Sequence, residues 1–122
     1  MNKVVLLTGC LAAAGLFQTA TAGSAVAWPG HGRFFYSSGY PREIAEKRAL
    51  QLCYSEYGSE ARIVASTDRV GYGAIAVARR GNESVAGISL GRPTQADADA
   101  RAIDKCVRAG GTNPKVRSSF KG

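Results

Sequence analysis

The chain repeats itself. Gly39-Tyr40-Pro41 lies 52 residues before Gly91-Arg92-Pro93. From Ala45 onward a shift of 53 sets Ala45-Glu46 against Ala98-Asp99 and Arg48-Ala49-Leu50 against Arg101-Ala102-Ile103. The same shift sets Cys53 against Cys106, Gly58 against Gly111, and Arg62-Ile63 against Lys115-Val116. Agreement at so many ordered positions predicts two related halves, about 33–69 and 70–120, built from one supersecondary unit. The one-residue slip falls in the turn before the helix, where an insertion is tolerated.

Each half carries one helix. Pro41 suits a first turn, where its missing N–H would have no partner in any case. Ile44, Ala45, Ala49, Leu52, Cys53 and Tyr57 then form an apolar stripe at helical spacing, and Gly58 ends it. In the second half Thr94 is the expected N-cap, with Asp97 three residues on, and Asp97 is placed to pair with Arg101. Ala98, Ala102, Ile103, Cys106 and Ala109 make the matching stripe, closed by Gly110-Gly111. Arg33–Ser37, Ala61–Thr67, Tyr72–Ala78, Ser84–Leu90 and Lys115–Phe120 read as strands, bounded by turn residues. Gly81 supplies a positive φ for a hairpin between the third and fourth of these. The expected fold is α+β: one mainly antiparallel sheet of five to six strands with both helices packed on it, related by an approximate twofold. Residues 23–32 are read as a linker or a further short strand, with Ala25-Val26-Ala27 set against Ile75-Ala76-Val77.

Residues 1–22 have the three parts of a secretory signal: Lys3 near the start, an apolar run from Val4 to Phe17, and small residues up to Ala22. A second cut is spelled after Ala27. The run is short for a spanning helix, which needs about 20 apolar residues, so no transmembrane segment is expected in the mature chain. Leu7-Thr8-Gly9-Cys10 spells a lipobox, but only four apolar residues precede it and the apolar run continues past it, so Cys10 is read as filler within the signal. The expected address is periplasmic or extracellular.

With 122 residues the chain holds one small domain, 33–122, too short for a dinucleotide-binding enzyme or an eight-stranded barrel. Sixteen Lys and Arg against nine Asp and Glu give a net charge of +7, which suits anionic partners. The basic residues are dispersed, with no run beyond Lys47-Arg48 and Arg79-Arg80. Dispersed charge and an exported address argue against nucleic acid.

Gly73-Ala74-Ile75-Ala76-Val77, then Gly87-Ile88-Ser89-Leu90-Gly91, then Ala98-x-x-x-Ala102-x-x-x-Cys106 and Gly110-Gly111 resemble domain of unknown function 4189, a family of small exported bacterial proteins with one or two such units. The likeness covers residues 33–120. It is weaker in the first half, where no clear counterpart of Gly73–Val77 survives. It implies an exported address and an α+β fold, and carries no catalytic residues. Relatives of this kind usually place a second cysteine at the start of the strand after each helix. Here those places hold Ala61 or Arg62 and Pro114 or Lys115, so the within-unit bridges are missing. Cys53 and Cys106 remain, either bonded to each other or free on separate helices. A bond would add roughly 3–4 kcal/mol on the loop-entropy account.

Little else points to chemistry. His31 is the single histidine and reads as a solvated loop residue, and no Cys-x-x-Cys is present for zinc. Gly71-Tyr72-Gly73 lacks the rest of a phosphate loop. No serine has an evident partner base, so no enzyme and no cofactor is expected. In Phe34-Phe35-Tyr36 one ring must point away from a single core. Phe35 with Arg33, Arg42, Arg79 and Arg80 forms the candidate partner surface. The expected function is a protein-binding module of inhibitor, immunity or effector type. The alternative is a basic envelope protein held to anionic polymers or lipid headgroups.

Overall fold

A computed structural model describes residues 23–122. The signal-peptide reading of residues 1–22, with Cys10, lies outside the described residues. The fold is α+β, with six strands, two α-helices and one 3-10 turn (Gly58–Glu60) among the described residues. In chain order these are β1 (Gly23–Trp28), β2 (Phe35–Tyr40), α1 (Arg42–Tyr57), β3 (Arg62–Thr67), β4 (Tyr72–Arg80), β5 (Glu83–Arg92), α2 (Gln95–Arg108) and β6 (Thr112–Lys121).

The strands form two three-stranded sheets rather than a single one, ordered β2-β1-β3 and β5-β4-β6, with every pairing antiparallel. The central strands explain the division. In β1, Ala25 and Ala27 face α1, where they join Phe35, Ala45, Ala49 and Cys53. In β4, Ala74, Ala76 and Ala78 face α2 with Ala98, Ala102 and Cys106. Val26 and Ile75 alternate with those alanines, so they point to the opposite faces, and there they meet each other and Phe120. Both faces of each central strand are apolar and need cover. One sheet with both helices on the same side would leave Val26 and Ile75 in water. Stacking the sheets covers them and gives four layers: α1, sheet, sheet, α2.

Both sheets have the same connectivity, strand–strand–helix–strand with the first strand in the middle. Residues 23–28 form that middle strand in the first sheet, so the option of a linker gives way to a strand. Ser24–Trp28 occupies there the place of Gly73–Val77. Ala25 and Ala27 correspond to Ala74 and Ala76, one residue away from the alignment expected above; a one-residue slip exchanges the two faces of a strand.

The local signals hold. Thr94 caps α2 by accepting from the Asp97 N–H at 3.0 Å. Asp97 also pairs with Arg101 at 3.3 Å and with Arg92 at 2.6 Å. The Arg92 hydrogen bond, opposed by partial burial, holds the Asp97 carboxyl below its usual range. Gly81, at φ 63°, turns the β4–β5 hairpin. In α1 the stripe is narrower than the spacing suggests: Ala45, Ala49 and Cys53 are buried, while Ile44 and Leu52 flank them at 46% and 49% exposure. No helix among the described residues is long and apolar enough to cross a membrane.

The bond weighed for Cys53 and Cys106 is not formed; both thiols are free and buried. Each lies between a helix and its own sheet, so both sheets stand between them. Burial pushes both thiols up, with Glu56 adding at Cys53 and a backbone hydrogen bond at Gly87 opposing at Cys106. A raised thiol contributes stability that is complete below its unfolded value, about 8.5, and is lost as pH rises through the folded value. The chain is therefore expected to lose stability in mild alkali. Maleimide is expected to label both thiols in denaturant and neither in the native state. A non-reducing mass two hydrogens light would contradict this.

Candidate functional site

The sheets are joined at one end and open at the other. At the joined end the Tyr36 ring stacks on Phe120 with centroids 4.1 Å apart. Ser38 Oγ donates to the Lys121 carbonyl at 3.0 Å. At the β4–β5 hairpin end the inner faces part to leave a cleft of about 1040 Å³. Trp28, Phe34, Tyr36 and Val64 line it from the first sheet, and Ile75, Val77, Ala86, Ile88 and Arg117 from the second.

Strand alternation places these side chains. Phe34 and Tyr36 flank Phe35, so when Phe35 turns to α1 they turn to the other sheet. Trp28 follows Val26 on the inner face of β1 and stacks on Phe34 at 5.2 Å. Trp28 Nε1 donates to the Gly32 carbonyl at 3.2 Å, tying down the loop that carries His31 and Arg33. Register shifts occur between Ala65 and Ile63 in β3 and between Ser118 and Val116 in β6. The skipped residues, Val64 and Arg117, both reach the cleft. Val64 remains 38% exposed.

The rim is cationic. Arg33 lines the cleft, pairs with Glu56 at 3.5 Å and stands over the Phe35 ring at 4.8 Å. Arg79 follows Ile75 and Val77 on the inner face of β4, opposite Ser84 of the cleft wall. Arg62 stands over the Trp28 ring at 5.9 Å. Among the described residues Arg62, Arg79 and Arg117 have no carboxylate partner. The one acidic residue in the lining, Glu83, is bound to Arg80 at 2.8 Å.

The expected partner surface is only partly assembled. Arg33 lines the cleft and Arg79 stands opposite the lining residue Ser84, while Arg80 donates to the Ala109 carbonyl and to Glu83. Arg42 lies at the joined end, donating to Ser66 Oγ at 3.0 Å and paired with Glu46. Phe35 is core, not surface, at 6% exposure with its ring edge-on to Tyr57. Trp28, Phe34, Tyr36, Val64 and Arg117 were not singled out as a site. Their signal was the alternation in Ala25-Val26-Ala27-Trp28, legible only once that segment is taken as a central strand. His31 is an exposed loop residue, as expected, and stands at the cleft wall with its ring edge-on to Tyr57 at 5.5 Å.

Among the described residues no group of three His, Cys, Asp or Glu side chains is placed to hold a metal ion. No protein-family model, curated protein or solved structure matches the chain significantly.

Proposed function

We propose that the chain is an exported, non-enzymatic binding module of inhibitor, immunity or effector type, and that its partner is another protein engaged at the open end of the sandwich. The observation that carries this reading is the cleft: aromatic and aliphatic walls, with Arg117 in the lining and Arg62 over the Trp28 ring, neither with a carboxylate partner among the described residues. Aromatic and arginine side chains are enriched at protein interfaces, and an apolar centre with a polar rim is their usual anatomy.

The place of β1 favours a signal cut after Ala22 over one after Ala27. A cut after Ala27 would leave only Trp28 of the strand at the centre of the first sheet. The matching connectivity of the two sheets supports reading the chain as two copies of one unit, as in the likeness to domain of unknown function 4189.

A second reading is favoured by the cations without carboxylate partners: association with anionic envelope polymers or lipid headgroups through charge alone. Capture from envelope and medium fractions, on secreted chain purified from cells expressing the full sequence, separates the two. A stoichiometric protein held through a high-salt wash is expected for the binding module. Retention of many acidic species only at low salt marks the second reading, because exposed charges are screened by salt.

A further inference from the structure

We infer that the segment this cleft accepts is an apolar stretch flanked by carboxylates, presented by the partner protein as a protruding loop or strand. This deepens the protein-binding reading and rests on it.

Two stacked sheets keep a gap of about 10 Å that interdigitating side chains must fill. At the joined end Val26, Ile75, Phe120 and Tyr36 fill it. At the hairpin end Trp28, Phe34, Val64, Val77, Ser84 and Ala86 line the gap without filling it, and a cleft of about 1040 Å³ remains. An occupant with apolar side chains completes that layer. The cleft is open to solvent at this end, which suits a protrusion from a macromolecule better than a small ligand, since small-ligand sites bury most of their guest.

Charge selects among apolar segments. Arg33 and Arg117 line the opening, Arg79 stands opposite the lining residue Ser84, and Arg62 stands over the Trp28 ring. Glu83 is already neutralised by Arg80. A cationic segment would meet like charge on both sheets, whereas carboxylates either side of an apolar core would meet Arg117 and Arg62, which have no carboxylate partner among the described residues.

Trp28 is the only tryptophan in the chain and lines the cleft, so its emission reports occupancy directly. The secreted chain is titrated with four probes: the capped peptide Glu-Leu-Phe-Leu-Glu, its Lys-Leu-Phe-Leu-Lys counterpart, the polar peptide Glu-Ser-Gly-Ser-Glu, and sodium dodecanoate. The acidic apolar peptide is expected to shift Trp28 emission to the blue, saturably, and to bind at least about tenfold more tightly than the basic one. That factor corresponds to about 1.4 kcal/mol. High salt and Arg117→Ser are each expected to narrow the gap. Equal binding of the two charged apolar peptides, equal binding of the polar acidic peptide, or no response to any peptide overturns the inference. The protein-binding reading survives equal binding of the apolar peptides. It falls if dodecanoate alone fills the cleft, which marks a site for small anionic amphiphiles.

Discussion

Gly87→Val is expected to cost about 3 kcal/mol or more, at the upper end of what overpacking does in a close-packed interior. The reason is the approach of α2 to its sheet. The helix presents Ala98, Ala102 and Cys106 inward and comes down directly on β5. A Cβ at Gly87 would collide with the Ala102 carbonyl oxygen and would stand 2.8 Å from Lys105 Cβ and 3.0 Å from the Cys106 N. Most of these are backbone atoms held in the helix, so α2 must lift as a unit. Valine favours strands, so local propensity works against the expected loss and cannot produce it. Ala86→Val, next along the strand, points into the open cleft and is expected to leave stability within about 0.5 kcal/mol, as a substitution with free space around it does. Urea midpoints for the two variants, with maleimide labelling of Cys106, make the comparison. Equal midpoints would contradict the close docking of α2.

Phe35→Ala is expected to cost about 3–5 kcal/mol, the range for deleting a buried phenylalanine. As an exposed contact residue the same ring would cost close to nothing. Its ring fills the space opposite Ala27, where the second sheet has Gly87 opposite Ala76. It lies 5.8 Å from the Tyr57 ring, which closes the C-terminal end of α1. Removing it opens a cavity under α1 that Ala45, Ala49 and Cys53 are too small to fill. A domain of this size has total stability of about 5–15 kcal/mol, so the variant is expected to unfold in part at 37 °C. A cooperative unfolding midpoint equal to that of the parent would return Phe35 to the surface. Any loss of partner binding in Phe35→Ala thus reports unfolding, and the cleft has to be tested elsewhere.

The helices and their buried faces were legible because Ala-x-x-x-Ala-x-x-x-Cys at helical spacing, a Thr cap and terminating glycines all agree. The hairpin was legible in Gly81 for the same reason. β1 was half hidden. Its residues are small and apolar on both faces, so it lacks the alternation of polar and apolar residues that marks a half-exposed strand. The fate of Phe34-Phe35-Tyr36 followed from that. With one core in view, one of three consecutive rings had to be exposed. With a helix layer on one side of the sheet and a second sheet on the other, all three find apolar neighbours. The cleft was beyond reach of the sequence, because it depends on how far two sheets part at one end. No local pattern encodes that separation.

The central claim is that a partner protein enters the open end of the sandwich, and Val64→Asp tests it most directly. Val64 lines the cleft, stands at the bulge of β3 and is 38% exposed, so a carboxylate there is compatible with the fold. It would also repel an acidic segment and desolvate poorly beneath an apolar one. Secreted parent and variant chains are used side by side for capture from envelope and medium fractions, with their unfolding midpoints measured in parallel. The expected result is one stoichiometric protein that stays on the parent through a high-salt wash and is lost from Val64→Asp at an unchanged midpoint. The same protein held equally by both chains, or retention on both only at low salt, would contradict the claim.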